Sequence, residues 1–322
     1  MIAAVLASRG TARAEKLFPL GVYWPHSYAN GFASFAGMDE WAYADRILGS
    51  LKTNHCNFVW VTSIEDKPAV RLCELAHKHG IRVGLMPEAV MHPMQTRQAA
   101  TPRAAAVAAA HTVGTFGQVD GIWGYVLDDE PPIAALPYLA AVETELRRLD
   151  PDRLVTCVYR RTEAVPGIRH HDFGIVTYNN YPFGHARDPN LPNTPRASRD
   201  FFRRVTASLG RQCEIRGITF FAMPGAFQDI WGHWYWSEEM TVVAEKGAYL
   251  HWRMPTEGET RWQVWESVAG GAKGVVFFSL WYCENLNRTA PSGKPPPPLS
   301  DEAGPRIDKE WDTGQPLSLI HI

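Results

Sequence analysis

The sequence predicts an α/β protein with a (β/α)8 TIM-barrel fold, and three observations support this class. Eight short runs rich in β-branched and aromatic residues follow one another along the 322 residues. Segments with helical periodicity or helix-capping residues separate most of these runs, as crossover helices between parallel strands require. The first strand leads into YWPHSYANG, which lacks the Gly-rich turn of a doubly wound nucleotide-binding sheet. The alternation therefore favours a closed parallel barrel.

The first four predicted strands and their helices occupy the N-terminal half of the chain. These strands are Phe18–Trp24, Asn57–Ser63, Ile81–Pro87 and Gly121–Leu127. A helix that begins at Asp39 has apolar residues at helical spacing, and the next helix is expected to end at Gly80. Thr101 and Pro102 match the preferred residues at the start of a helix, so we expect the Ala-rich segment after them to be helical.

The other four predicted strands follow the same pattern until the composition changes. They are Leu154–Tyr159, Phe173–Pro182, Gly217–Pro224 and Val275–Trp281. Leu136–Leu149 reads as the helix after the fourth strand, and Gly258–Gly274 is an amphipathic segment before the eighth. The Pro-rich stretch after Trp281 can form neither a helix nor a central strand. We therefore expect the barrel to be truncated before its last helix.

Four segments are predicted along the chain. Residues 1–15 resemble the remnant of a secretory signal peptide, and residues 16–288 form the TIM-barrel catalytic domain. Residues 289–316 form a Pro-rich loop that leads to the missing helix, and residues 317–322 resemble the translated end of an adapter used in sequencing libraries. The leader predicts a secreted or periplasmic protein, and without it the protein would be cytoplasmic.

Composition excludes several classes of partner and cofactor. The formal net charge of −2 gives no basic surface for nucleic acid, and no apolar run approaches the roughly 20 residues that a membrane span requires. The five cysteines are widely spaced without a CxxC pattern, which indicates neither a disulfide framework nor a zinc site. His26 lacks the second histidine of a two-metal barrel. We therefore expect no metal and no organic cofactor.

Aromatic residues are unusually frequent, with 12 Trp, 11 Tyr and 14 Phe in the chain. Several are concentrated in FQDIWGHWYW, where Trp231 and Trp234 are interleaved with Gly and His and show no clean period. They could fill a core, but flat rings with a polar edge also suit sugar binding. We favour the binding interpretation, with a carbohydrate as the partner.

The stretch GYVLDDEPP places three consecutive carboxylates, Asp128, Asp129 and Glu130, between an apolar strand and two prolines. One of them could cap the next helix, since an acidic residue before Pro is a common helix start. A cap needs one acid, whereas general acid–base chemistry uses carboxylates at strand ends. The triplet is therefore the leading catalytic candidate, with Glu130 as its main member.

Other candidates lie near the ends of the predicted strands, where barrels carry their chemistry. The predicted substrate-binding residues at these ends are His26, Asn180, Tyr181, Gln228 and Trp281. Possible second carboxylates are Asp229 and Glu284.

These residues resemble the TIM-barrel glycoside hydrolases of clan A, in particular the β-galactosidase-like members. The likeness rests on a Glu after strand four, a Tyr-Pro after strand six and a Trp at the end of strand eight. It implies that Glu130 is the acid/base, with Asp129 where many members carry Asn, and that Trp281 is the floor of the reacting-sugar subsite. The segment Gly258–Trp281 also resembles uncharacterised glycoside-hydrolase-like barrels of environmental bacteria.

The sequence departs from clan A at strand seven, which runs into FFAMPGAFQD without the expected nucleophilic Glu. The predicted function is therefore a glycoside hydrolase that cleaves a poly- or oligosaccharide with Glu130 as general acid/base. Asp129 beside Glu130 also resembles the pairs of substrate-assisted hexosaminidases and chitinases, in which the substrate's acetamido group attacks. A third alternative is a non-catalytic barrel that binds carbohydrate.

Overall fold

The computed structural model describes residues 18–35, 37–62, 64–95, 101–160, 174–184, 195–227, 229–231, 234–236, 242–244 and 249–279. Eight of its strands are parallel and form a closed barrel. They are β1 (Leu20–Pro25), β2 (Phe58–Thr62), β3 (Arg82–Leu85), β4 (Ile122–Asp129), β5 (Leu154–Tyr159), β6 (Ile175–Asn180), β7 (Thr219–Pro224) and β12 (Gly274–Phe277). Their order around the barrel is β1-β12-β7-β6-β5-β4-β3-β2. The predicted (β/α)8 fold is confirmed.

Four short strands lie between β7 and β12. They are β8 (Asp229–Trp231), β9 (Trp234–Trp236), β10 (Val242–Ala244) and β11 (Tyr249–Trp252). β8 pairs with β11 and β9 pairs with β10, both antiparallel. Strands of three residues are too short to show alternation, which explains why the sequence has no clean period around Trp231 and Trp234.

The described helices are α1 (His26–Phe35), α2 (Glu40–Thr53), α3 (Asp66–Lys78), α4 (Glu88–Gln95), α5 (Pro102–Phe116), α6 (Leu136–Leu149), α7 (Pro195–Ile215) and α8 (Glu257–Ala269). Asp39 accepts from the backbone N–H groups of Trp41 and Ala42 and so caps α2. Thr101 caps α5 by accepting from the Ala104 N–H at 3.1 Å. Each cap satisfies backbone donors that the first helical turn leaves unpaired. None of the described helices is both long and apolar enough to cross a membrane.

Side chains fill the barrel interior and leave no open pore there. Alternation along the strands places one set of residues between the barrel and the helices and the other set inside it. The inner set includes Tyr23, Phe58, Trp60 and Phe221, all of them buried. The rings of Trp60 and Phe221 stack with centroids 6.1 Å apart. This aromatic layer is the floor beneath the ends of the strands.

Two boundaries differ from the sequence prediction in ways that matter for the site. β4 continues through Asp129, two residues beyond its predicted end. β12 ends at Phe277, so Trp281 is not part of this strand and lies outside the described residues. The predicted terminal segments 1–15, 289–316 and 317–322 also lie outside them, and the missing final helix stays a prediction.

A pair of glycine variants tests the packing of the helix layer. A Cβ at Gly210 of α7 would lie 1.8 Å from the carbonyl oxygen of Gly270, whereas a Cβ at Gly114 of α5 would meet nothing within 4 Å. We expect Gly210→Ala to lower the free energy of unfolding by about 1–3 kcal/mol, because the backbone of Gly270 would have to move away from the new methyl group. Gly114→Ala should raise it by about 0.5–1 kcal/mol through helix propensity. Urea unfolding measures both, and a neutral Gly210→Ala would contradict the close α7–α8 packing.

Candidate active site

A β-bulge in β4 determines which carboxylate of the triplet faces the barrel interior. Val126 lies opposite Thr156 and Asp129 lies opposite Val158, so three steps on β4 match two steps on β5. In a regular strand Asp128 would share the inner face with Val126. The extra residue gives that place to Asp129, since a bulge re-aims the side chains that follow it.

Asp128 holds the bulge together from the side of the helix layer. Its carboxylate Oδ1 accepts from the backbone N–H of Asp129 at 2.8 Å, and its carbonyl oxygen lies 3.4 Å from the thiol of Cys157. The side chain is buried, and burial raises its pKa to about 6, although the bond from Asp129 opposes the shift. Asp128 therefore stabilises the backbone of the bulge, whereas the carboxylates of Asp129 and Glu130 contact side chains of other strands and loops.

Asp129 is joined to β1 by a hydrogen bond across the top of the barrel interior. The hydroxyl of Tyr23 donates to Asp129 Oδ2 at 2.8 Å, while Asp129 Oδ1 is buried without a hydrogen-bond partner among the described residues. Burial raises the pKa of Asp129 to about 7; the Tyr23 bond opposes this, and the charges of Glu130 and Asp128 add to it. Near neutral pH this carboxyl therefore exchanges its proton readily.

Glu130 turns toward the barrel mouth, by which we mean the end where the strands terminate. Its φ of 55° is in the left-handed region, which is uncommon for a residue with a side chain. Its N–H donates to the Val158 carbonyl at 2.9 Å, so the backbone is fixed as it leaves the strand. The carboxylate accepts from the Asn179 amide and lies 3.5 Å from Arg160 Nη1, with about a third of the side chain exposed. A strained, held and accessible carboxylate is typical of functional sites.

The helix-cap interpretation of the triplet is wrong. A short 3-10 helix, Ile133–Ala135, follows the prolines, and Pro132 precedes it without any side-chain cap. α6 begins after Ala135, again without a side-chain cap. The carboxylates of the triplet make their contacts with the strands instead.

An aromatic wall borders Glu130 on the side of β6, β7 and β12. Half-buried Tyr181 forms a side-chain hydrogen bond with Asn179, the residue that donates to Glu130. Its ring contacts Phe227 at 4.9 Å and Phe278 at 5.6 Å between centroids. Burial raises the pKa of Tyr181 well above its usual value, and the nearby carboxylates raise it further, so its hydroxyl stays protonated. Sequence reasoning identified Tyr181 and missed Phe278.

A cavity of about 330 Å³ opens beside Tyr23 at the ends of β1, β2 and β3. Its lining residues are Tyr23, Thr62, Ile64, Glu65, Met86, Glu88 and Met91. The Thr62 hydroxyl also bonds to Tyr23, which links the cavity to Asp129 through one tyrosine. Glu65 and Glu88 were not among the predicted site residues, although Glu88 directly follows the third predicted strand. The structure thus places two further carboxylates at the mouth.

His26 does not join the carboxylates of the triplet. It is the first residue of α1, and its Nε2 lies 2.9 Å from Glu40 Oε1. The indole N–H of Trp24 donates to His26 Nδ1 at 3.4 Å, so the ring bonds to groups on the helix side of β1. Burial lowers the pKa of His26, although Glu40 opposes the shift. These contacts account for a buried His26 without a ligand.

The remaining predicted residues are described in part or not at all. Asn180 lies at the end of β6, and its side-chain Nδ2 is buried without a partner among the described residues. Asp229 and Trp231 lie on β8 and Trp234 on β9, but their side chains are outside the described part. Gln228, Trp281 and Glu284 lie entirely outside the described residues.

The described residues show two features that bear on the chemistry of the site. Residues 219–227, which contain β7 and the turn after it, include no Asp or Glu, so the clan A nucleophile has no counterpart there. Within the described ranges there is also no cluster of three His, Cys, Asp or Glu side chains that could hold a metal ion.

Comparison with known proteins identifies the fold. No protein-family model and no curated protein matches the chain. Solved structures do match: β-glucuronidase from Ruminococcus gnavus has a TM-score of 0.57 at 10% identity, covering 94% of this chain and 48% of that one. Faecalibacterium prausnitzii β-glucuronidase has a TM-score of 0.56 at 15% identity, covering 88% and 45%. A family 5 glycoside hydrolase from Bacteroides vulgatus has 0.53 at 13%, covering 81% and 58%.

These likenesses confirm the barrel that the sequence resemblance predicted. The chain has the fold of TIM-barrel glycoside hydrolases and spans about half the length of the glucuronidases it matches. At 10–15% identity the likeness concerns the fold alone, so the chemistry has to be argued from the residues of this chain.

The raised pKa of Asp129 predicts a specific pH dependence of stability. The unfolded chain releases this proton near pH 4, whereas the folded protein keeps it up to about pH 7. The folded state therefore loses stability as pH rises from about 4 to about 7, by up to about 4 kcal/mol, because each pKa unit corresponds to about 1.4 kcal/mol. Asp129→Asn should flatten this decline, and thermal unfolding at several pH values measures it.

Some of the decline in stability should remain in Asp129→Asn, because Asp128 also has a raised pKa. This residual decline should lie between about pH 4 and 6. The exposed Asp45 is a suitable control, since its pKa is lowered by His79 and Lys78. Asp45→Asn should leave the decline between pH 4 and 7 in place. An Asp129→Asn variant with an unchanged profile would mean that this carboxyl is ionised throughout.

Proposed function

We propose that this protein is a glycoside hydrolase that cleaves a poly- or oligosaccharide, with Glu130 as its general acid/base. The observation that carries the proposal is the position of Glu130. It leaves the end of β4 in a left-handed conformation, accepts from Asn179 and keeps about a third of its side chain exposed. Chemistry in this fold takes place at that end of the barrel, and a carboxyl so placed can reach a glycosidic oxygen.

The contacts of Glu130 suit both halves of acid–base catalysis. The Asn179 amide occupies Oε1, so Oε2, which lies 3.5 Å from Arg160 Nη1, is the oxygen that would carry the proton for the leaving oxygen. After that transfer Glu130 is a carboxylate, and Arg160 at 3.5 Å stabilises the charge. The same carboxylate can then take a proton from the attacking water or hydroxyl. The fixed backbone keeps the group oriented through both steps.

A second candidate reaction is favoured by Asp129. Described residues at the end of β7 offer no nucleophile, whereas Asp129 lies next to Glu130 with one oxygen held by Tyr23 and the other without a partner. A buried acceptor of this kind suits the N–H of a substrate acetamido group, whose own oxygen would attack the anomeric carbon. This substrate-assisted N-acetylhexosaminidase reaction needs Asp129 ionised, and so would gain rate as pH rises through about 7.

The rival from another class is a barrel that binds carbohydrate without cleaving it. The aromatic wall of Tyr181, Phe227 and Phe278 supports sugar binding in either case, since aliphatic C–H groups of a sugar pack on flat rings. Among the described residues, we assign to Phe278 the role of sugar platform, by which we mean the ring on which the reacting sugar packs. Trp281, Trp231 and Trp234 stay predicted members, with Asn180 and Gln228 as hydroxyl partners.

Replacing Glu130 by Gln tests the catalytic assignment. Gln keeps the size of the side chain and its bond to Asn179 but has no transferable proton. Activity on chromogenic glycosides should fall by about 10²–10⁴, the usual contribution of a positioned acid or base. Thermal stability should change little, because the triplet does not cap a helix. Glu145→Gln is a control, because it removes a half-buried carboxylate of α6 that, among the described residues, pairs with Arg148 and lies outside the site.

Three outcomes separate the candidate reactions. If Asp129→Asn is as damaging as Glu130→Gln and only N-acetylated glycosides are cleaved, the substrate-assisted reaction is correct. If Asp129→Asn is mild, a carboxylate elsewhere completes the site. If the wild-type protein binds oligosaccharides by calorimetry and hydrolyses none of them, the non-catalytic barrel is correct.

The assignment of Phe278 as the sugar platform can be tested with a substitution that leaves little cavity in the core. Phe278→Leu keeps most of the apolar volume but removes the ring that contacts Tyr23 and Tyr181. Affinity for an oligosaccharide substrate should fall about fivefold to tenfold, as expected for roughly 1 kcal/mol of aromatic stacking. The melting temperature should move by only a few degrees. Trp281→Ala made in parallel shows which ring is the floor, and an unchanged affinity for Phe278→Leu would exclude Phe278.

A further inference from the structure

A second cavity lies at the end of the barrel opposite to Glu130, where the strands begin. It measures about 580 Å³, which is within the range of about 300–1,000 Å³ typical of small-molecule sites. Its lining includes residues at or just before the start of β1, β4, β5, β6, β7 and β12. Trp123 and Glu130 are seven residues apart on β4, which corresponds to roughly 20 Å. The two cavities are therefore separate sites.

The inner end of this cavity is a rigid aromatic surface. Trp123 is half-buried and contacts Phe58 and Phe221, with ring centroids 5.1 and 5.9 Å apart. The guanidinium of Arg82 lies 5.9 Å from the Trp123 ring and restrains it further. Phe221 itself lines the cavity beside Trp123. A flat, partly exposed ring backed by a packed core can stack with a ligand at little entropic cost.

Three cations line this cavity, and among the described residues no Asp or Glu lines it. Arg147 lies in the last turn of α6, Arg153 precedes β5 and Lys273 precedes β12. Lys273 is exposed, and within the described part of the chain it has no acidic partner at salt-bridge distance. Its backbone N–H donates to Phe220 at 2.7 Å, which anchors the base of the side chain. The amine is therefore available to a ligand.

The two arginines are positioned, yet only partly neutralised. Arg147 Nη2 pairs with Glu143 at 2.5 Å, and Arg153 Nε lies 3.8 Å from Asp150. Arg153 Nη1 also donates to the Ile122 carbonyl. A guanidinium has five N–H donors, so these contacts with Asp150 and Ile122 do not use all of those of Arg153. The lack of a side chain at Gly174 makes room for Arg147, since a Cβ there would lie 2.8 Å from Nη2. Positive charge in a concave, partly apolar wall focuses the field on an incoming anion.

We propose that this cavity binds a small organic anion that carries a flat ring. The ring packs on Trp123, and a phosphate or carboxylate group faces Arg147, Arg153 and Lys273. Guanidinium and ammonium groups recognise both of these anions, and the aromatic surface selects those with an apolar ring over simple ions. The site does not depend on the reaction proposed for Glu130.

Calorimetric titration of the whole chain with three probes tests the proposal. Phenyl phosphate carries both ring and anion, the dimethyl ester of phenylphosphonic acid carries the ring without any charge, and inorganic phosphate lacks the ring. Phenyl phosphate should bind at least about tenfold more tightly than either, and its affinity should fall as salt screens the cations. Lys273→Gln should weaken it by about tenfold or more, which is the usual effect of losing one charged hydrogen bond.

Lys67→Gln is the matched control, because Lys67 is an exposed lysine at the start of α3, near the opposite end of the barrel. It should leave the affinity for phenyl phosphate unchanged, and so should Glu130→Gln. Equal losses in Lys273→Gln and Lys67→Gln would overturn the proposal, because they would show diffuse charge attraction. Equal affinity for inorganic phosphate and phenyl phosphate would overturn the role of Trp123, and no binding at millimolar probe would overturn the site.

Discussion

The bulge in β4 is the constraint on which the candidate active site depends. One hydrogen bond, from the backbone N–H of Asp129 to the side-chain Oδ1 of Asp128, accompanies the extra residue and engages the first carboxylate of the triplet. Asp129 thereby takes the inner position above the aromatic layer. The left-handed turn at Glu130 then sends the next carboxylate to the same side. Two successive acidic side chains at the mouth would be incompatible with the pleat of a regular strand.

This arrangement couples the proton affinity of the site to the packing of the barrel. Tyr23 belongs to the buried inner set and also donates to Asp129. Its ring is held by the aromatic residues around it, so the hydrogen bond has little freedom to follow the carboxylate. Burial then decides the balance, because it raises the pKa of Asp129 to about 7 despite the bond. Loosening the inner layer would admit water and lower that pKa, even without a change at the mouth.

The sequence predicted the barrel well because its strands differ sharply in composition from their surroundings. Leu154–Tyr159 and Leu136–Leu149 match the observed β5 and α6 at both ends. The end of the eighth strand was predicted less accurately, since the aromatic run VVFFSLW continues beyond Phe277, where the described strand ends. The bulge left no signal in composition: a regular strand and a bulged one contain the same three acidic residues. The left-handed conformation of Glu130 could not be predicted from the sequence either, because Glu has no preference for that conformation.

Charge is distributed very unevenly between the two ends of this barrel, which the net charge of −2 conceals. The mouth carries Asp129 and Glu130, with Glu65 and Glu88 in the adjoining cavity. The described lining of the opposite cavity contains three cations and no acid, although Glu143 and Asp150 lie beside two of these cations. A single closed sheet with a packed aromatic interior separates the two, so solvent cannot average the fields through the centre. The cations at the strand starts favour the anionic ligand proposed there, whereas the acids at the mouth, with Arg160 as the cation beside Glu130, suit a neutral sugar better.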